Sequence, residues 1–317
     1  MVTHVKKKEL SVKRRSYHKS RKAKVAEKVK FVNKKPFFKK HKYNSVHKKQ
    51  ILDYRVPIKK KLESIHHKDE KIVKKYVTTG IEGFDKLLEQ GIPKGSSLIV
   101  CGGPGTGKTI FCLQALQHAA SRGEKGIYMT FEESPERLSE HMHDFGWHPE
   151  DYEKKGKIII KRFSPFEVTR QVEAMLEQAK GELLIDVQPL LFPANFKPDW
   201  IFVDSLSAIA SAFVGKDETY RIYIEQLFRL FEEIGSTSFL ISESIDVATK
   251  LSASGVEEFL ADGVIAMYSI KRGNLRDNAV EIVKIRGAGF KKRIVAMRIE
   301  GGKGIIVYPK HEIFSEV

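Results

Sequence analysis

Gly102-Gly103-Pro104-Gly105-Thr106-Gly107-Lys108-Thr109 fits the pattern G-x-x-x-x-G-K-[ST]. The pattern has meaning only where a strand runs into a tight turn and a helix starts at once. Ser97-Leu98-Ile99-Val100 reads as a short buried strand before the turn, and Ile110 to Ala120 reads as a helix after it. Glycines at 102, 103, 105 and 107 let the backbone wrap an anionic group without Cβ clashes. Backbone N–H groups and the helix N-terminus supply positive potential for a polyphosphate. In this reading Lys108 reaches the β- and γ-phosphates of a nucleoside triphosphate, the Thr109 hydroxyl ligates Mg²⁺, and Pro104, Thr106 and Ile110 complete the lining. A glycine-rich strand–helix turn that binds nothing is the alternative.

Charge divides the chain. Its net charge is +16, yet residues 1–75 hold 27 Lys/Arg against 6 Asp/Glu while the rest hold 29 against 34. The basic segment has little apolar periodicity and is expected to be a mostly disordered extension, leaving residues 76–317 as the folded domain. Its cations alternate with Tyr17, Phe31, Phe37, Phe38, Tyr43 and Tyr54, a mixture suited to phosphates and unpaired bases of DNA or RNA. A solubilising arm, a protein-binding arm or contact with anionic lipid explains the same composition. No apolar run approaches the roughly 18 residues of a membrane span, and no secretory leader is evident. Two cysteines, Cys101 and Cys112, suit a reducing compartment, so a cytoplasmic protein is expected.

Strands and helices alternate after the loop. Strands are expected at Gly126 to Phe131, Lys157 to Phe163, Trp200 to Val203 and Thr237 to Ser242, and helices at Pro135 to Phe145, Phe166 to Lys180 and Tyr220 to Ile234. Ile224, Leu227, Phe231 and Ile234 fall on one face of the last helix. From about Gly263 the pattern changes to hairpins, with strands at Val264 to Ile270, Ala279 to Ile285, Ile294 to Ile299 and Gly304 to Tyr308. The fold class is therefore α/β: a mainly parallel central sheet flanked by helices, with antiparallel C-terminal edge strands. Leu183 to Pro198 fits neither period.

Two acidic positions complete the candidate chemistry. Ile201-Phe202-Val203-Asp204 is an apolar run ending in an acid, expected on the strand beside the phosphate loop, where Asp204 can hold Mg²⁺ directly or through water. Glu132 and Glu133 end another strand. One of them orients or deprotonates the water attacking a γ-phosphate, or the pair is a solvated helix entry ahead of Ser134 and Pro135.

Six blocks occur in an order that resembles the KaiC-type ATPases of the RecA/RadA-like branch. They are Thr79-Gly80-Ile81-x-Gly83-Phe84-Asp85, the phosphate loop, Thr130-Phe131-Glu132-Glu133-Ser134, Val203-Asp204-Ser205-Leu206, Ser254-Gly255-Val256-Glu257-Glu258-Phe259 and Lys284-Ile285-Arg286-Gly287. The resemblance covers about residues 76–310, and the chain looks like a single-domain, archaeal-type relative with a basic N-terminal extension. It implies a RecA-like fold and an ATP hydrolase using Mg²⁺, with Glu132 as catalytic glutamate and Glu133 in support. It further implies a homo-oligomeric ring, typically hexameric, with ATP between subunits and Lys284 and Arg286 reaching the γ-phosphate of the neighbour. The leading reading is that the nucleotide state of such a ring controls a protein partner whose identity the residues do not give. Two places depart from relatives: Phe290 stands where many carry His, which points to slow turnover, and Glu258-Phe259 stands where the second domain of the clock ATPase has a phosphate-accepting Ser-Thr pair. Two other functions compete. One is a RadA-like recombination or repair ATPase that binds nucleic acid through its basic tail, although the loop Ser244 to Gly255 holds one basic residue, Lys250. The other is a nucleotide-sensing scaffold with negligible turnover.

Overall fold

The computed structural model describes residues 75–178, 193, 196–244, 252 and 255–312. Most of the basic segment, most of Leu183 to Pro198 and most of the loop after Ser244 lie outside these residues.

The described chain opens with a two-stranded ribbon of β1 (Tyr76–Val77) and β2 (Ile92–Pro93). Between them, the Asp85 carboxylate accepts hydrogen bonds from Thr79 N, Thr79 Oγ1 and Gly80 N, each at 2.9 Å. That knot holds Phe84 edge-on against Phe111 at 5.0 Å between ring centroids, tying the entry segment to the helix after the phosphate loop.

The main sheet has nine strands: β3 (Ser97–Gly102), β4 (Gly126–Thr130), β5 (Ile158–Arg162), β6 (Trp200–Asp204), β7 (Thr237–Glu243), β8 (Gly263–Arg272), β9 (Leu275–Ile285), β10 (Val295–Glu300) and β11 (Gly304–Glu312). Its order is β11-β10-β9-β8-β3-β7-β6-β4-β5, and every pair from β8 to β5 is parallel. β9, β10 and β11 extend it as antiparallel strands. The first of the expected hairpin strands, β8, is thus the pivot: it pairs parallel with β3 on one side and antiparallel with β9 on the other. The strand carrying Asp204 is not beside the loop strand as expected from sequence, because β7 lies between β3 and β6.

The helices are α1 (Lys108–Ser121), α2 (Pro135–Asp144), α3 (Pro149–Glu153), α4 (Pro165–Gln178), α5 (Leu206–Ser211), α6 (Asp217–Ile234) and α7 (Glu257–Leu260). Strand parity sorts the core onto two faces, since successive side chains on a strand point oppositely. Val100, Tyr128, Trp200, Phe202, Phe239 and Met267 share one face with Phe111, Cys112 and Leu116 of α1. Ile99, Cys101, Ile201, Val203 and Leu240 share the other with Ile209 of α5 and Tyr223, Ile224, Leu227 and Phe231 of α6. Helices on both faces explain why the parallel strands are apolar on both sides. The α6 face matches its helical spacing, with Ile234 only half-buried at the end. Both cysteines are free and buried, and burial pushes the Cys101 thiol up to about 12.

Trp200, Phe202 and Phe239 stack beneath α1 with centroids 5.7–6.2 Å apart and planes within 7°. Phe202 also stacks on Tyr128 at 6.0 Å. Removing the central ring, Phe202→Ala, should cost about 3–5 kcal/mol of unfolding free energy by urea titration. A loss below about 1 kcal/mol would show that the stack does not carry this part of the core.

Candidate active site

Two parts of the loop are fixed by its surroundings. Gly105 and Gly107 have φ of 73° and 98°, the left-handed region. A Cβ on Gly102 would lie 2.5 Å from the Met267 carbonyl oxygen, and one on Gly107 would lie 2.9 Å from Ile299 Cδ1. A Cβ on Gly105 meets nothing within 4 Å, so the loop is walled behind and open in front. α1, with Gly107 as its N-cap, aims its first N–H groups at that open side.

Lys108 is buried, and its Nζ donates to the Gly103 carbonyl oxygen at 2.9 Å. The nearest carboxylate is Glu243 Oε1 at 3.9 Å, at the end of β7. Burial lowers the Lys108 pKa, opposed by the negative charges of Glu243, Asp204 and Glu132. Thr106 Oγ1 also donates to the Gly103 carbonyl oxygen, at 2.9 Å.

The intervening strand does not separate Thr109 from Asp204. α1 lies across β7, β6 and β4, and the Thr109 hydroxyl donates to Asp204 Oδ2 at 2.9 Å. The same carboxylate oxygen accepts from the Tyr128 hydroxyl at 2.6 Å. Burial raises the Asp204 pKa, and the hydrogen bonds from Tyr128 and Thr109 work against that rise. The hydroxyl of Thr109 and the carboxylate of Asp204 are hard oxygen donors, a set that fits Mg²⁺. The open loop, the helix N-terminus and the Lys108 ammonium fit a polyphosphate.

The two glutamates part company. Glu132 is exposed, and its Oε1 accepts from the Ser205 hydroxyl at 2.5 Å, one residue along from Asp204. Glu133 turns to α2, with Arg137 Nε at 3.1 Å and His141 Nδ1 at 3.9 Å. Capping of α2 falls to Ser134, whose Oγ accepts from Arg137 N at 3.3 Å, with Pro135 opening the helix. Glu132 therefore stands beside Asp204 without a capping duty.

Lys284 and Arg286 are not brought to this site. Their strand end pairs with Gly263, which is in register with Leu98 at the amino end of β3, whereas the loop leaves its carboxyl end. The four residue steps from Leu98 to Gly102 span about 13 Å. There Lys284 Nζ donates to the Glu258 and Ala261 carbonyl oxygens at 3.0 and 2.7 Å. Arg286 donates to the Phe259 carbonyl oxygen at 3.2 Å and lies 3.6 Å from the Asp262 carboxylate. Burial, then the Arg286 charge, lowers the Lys284 pKa. Phe290 bridges to Leu88 and packs half-buried on the core. Phe259 is 74% exposed.

Sequence reasoning missed Tyr128, Ser205 and Glu243. Ser205 carried a signal, because a Ser directly after the strand acid is placed to cap the following helix, and its Oγ does accept from Ala208 N at 3.1 Å. Tyr128 and Glu243 had none without the strand order.

A phosphate loop joined through Thr109 to a strand-end carboxylate, on a mainly parallel sheet with antiparallel edge strands, defines a RecA-like P-loop nucleoside triphosphatase domain. The family described as "ATPase: KaiC" matches residues 77–312. The circadian clock protein KaiC3 of Synechocystis is 33% identical over 238 residues, covering 75% of this chain and 46% of the relative. The circadian clock oscillator protein KaiC of Thermostichus vulcanus is 31% identical over 232 residues, covering 73% and 44%. A crystal structure of a KaiC-like protein from Pyrococcus horikoshii is 32% identical with a TM-score of 0.61, covering 74% of this chain and 100% of that one. The chain belongs to the KaiC ATPase family. It spans about half the length of the curated relatives it matches. Among the described residues no helix is long and apolar enough to cross a membrane.

Gly107→Ala places a Cβ at positive φ and against Ile299, and should cost at least about 1–2 kcal/mol of stability in thermal denaturation. A variant with wild-type stability would mean that the loop relaxes freely.

Proposed function

We propose that this chain hydrolyses ATP with Mg²⁺ and works as a ring of identical subunits whose nucleotide state controls a partner protein. The observation that carries the reading is the contact of Thr109 with Asp204 at the loop, with Glu132 held next to it by Ser205.

In this reading the backbone from Gly102 to Thr109, with Ile110, binds the phosphates, and Lys108 leaves the Gly103 carbonyl to neutralise the β- and γ-oxygens. Thr109 and Asp204 would hold the metal. Bound Mg²⁺ supplies Lewis-acid charge stabilisation on the phosphoryl oxygens. Glu132, exposed and free of capping duty, takes the proton of the attacking water at its carboxylate, and Ser205 fixes its direction. Glu133 supports the strand end through Arg137. Lys284 and Arg286, at the far end of the sheet from their own loop, would serve the γ-phosphate of an adjacent subunit. A cation delivered across an interface stabilises developing phosphate charge. The catalytic unit is residues 76–317, and 1–75 is a basic arm appended to it. A cytoplasmic location suits two buried free thiols.

Lys108→Ala should abolish ATP binding or turnover, and wild-type hydrolysis in that variant contradicts the assignment. Glu132→Gln should retain ATP while turnover falls by about 10²–10⁴-fold; unchanged hydrolysis would move the base elsewhere.

A second reading is favoured by the 27 Lys/Arg of residues 1–75 and their interleaved aromatics: a nucleic-acid-dependent ATPase of the RadA type. Hydrolysis stimulated by DNA or RNA in the full chain, and not in residues 76–317, would select it. Turnover below detection with ATP still bound would instead select a nucleotide-sensing scaffold.

A further inference from the structure

Asp204 is a buried carboxylate whose Oδ2 takes two hydroxyl donors, Thr109 at 2.9 Å and Tyr128 at 2.6 Å. Their positions differ in kind. Thr109 opens α1 beside the loop, where its oxygen is available to a ligand. Tyr128 lies inside β4, in register with Phe202, and is fully buried. Asp204 is in register with Thr130, so Tyr128 and Asp204 are diagonal neighbours on one face of the sheet. Neighbouring strands lie about 4.8 Å apart and two residues rise about 6.6 Å along a parallel strand, a gap a tyrosine spans with its ring. Phe202 stacks on that ring at 6.0 Å, and the ring shares the face that packs under α1. The hydroxyl is therefore delivered to Asp204 by a rigid core aromatic. At 2.6 Å the hydroxyl is within full hydrogen-bond distance of the carboxylate oxygen.

We propose that Tyr128 is a positioning residue for the metal site: acting through Asp204, it sets how tightly the nucleotide-loaded protein holds Mg²⁺. The inference rests on the reading of Thr109 and Asp204 as the Mg²⁺ residues. With Oδ2 taking donors from two different elements, the orientation of the carboxylate is fixed from two sides, which would hold the acid ready for the ion or its water. A phenylalanine at this position would fill the core equally well and leave the carboxylate held by Thr109 alone. Thr109 would then have to orient the acid and serve the metal with the same hydroxyl.

The test is Tyr128→Phe in the full chain, which removes one oxygen atom and keeps the ring. A fluorescent ATP analogue reports binding in EDTA and across a Mg²⁺ titration. Binding in EDTA should match wild type, which also shows that the variant is folded. The Mg²⁺ concentration for half-maximal tightening should rise about tenfold, the scale of one lost hydrogen bond to a charged group. In an Asp204→Asn background the same substitution should add less than about twofold, since the effect runs through that carboxylate. An unchanged Mg²⁺ midpoint overturns the proposal. So does an equal loss of binding with and without Mg²⁺, or a full tenfold effect persisting in Asp204→Asn. Wild-type protein whose ATP binding ignores Mg²⁺ would contradict the underlying metal-site reading and this inference with it. A normal wild-type response with an unmoved Tyr128→Phe midpoint contradicts the inference alone.

Discussion

The buried carboxylate of Asp204 is the interaction on which the rest of the site depends. A carboxylate removed from water must be supplied with donors, and both of those observed here come from other elements. Thr109 reaches it from the first turn of α1, across the strand that separates β3 from β6. Tyr128 reaches it from β4. The acid thus ties loop helix, central strand and neighbouring strand at one point. Ser205, the next residue, then extends the tie to Glu132.

Polarity along the sheet determines what one copy of the chain can do. Glu132, Asp204 and Glu243 all lie at the carboxyl ends of parallel strands, at the same end as the phosphate loop. Lys284 and Arg286 lie at the amino end, held by carbonyls of α7 and the residue after it. In the proposed ring, a head-to-tail contact would bring the cationic end of one copy to the anionic end of the next. Contacts of that kind close into a ring when the rotation allows. Within a single copy the two ends do not meet.

Much of this was legible in the residues, and the misses have physical causes. The β3–loop–α1 unit follows from glycines that only a tight turn requires, and α6 from apolar residues at helical spacing. Strand order was less accessible: a buried apolar run ending in Asp204 says that it is a strand, but not that β7 intervenes. Glu132 and Glu133 look equivalent in sequence, and what separates them is the placement of Arg137 and His141 beside one and of Ser205 beside the other. Tyr128 reads as one more core aromatic, because its hydroxyl has a partner only once β4 and β6 are known to be neighbours. The role of residues 1–75 rests on composition alone, and nearly all of them lie outside the described structure.

The central claim is that Lys108 and Arg286 act on one nucleotide from two copies of the chain. Mixing Lys108→Ala with Arg286→Ala and measuring ATP turnover tests it directly. Each variant alone should be inactive or nearly so. The account predicts that the mixture regains activity, because some interfaces then pair an intact Lys108 with an intact Arg286 from the neighbour. A mixture no more active than its components, under conditions where the two variants co-assemble, would contradict it.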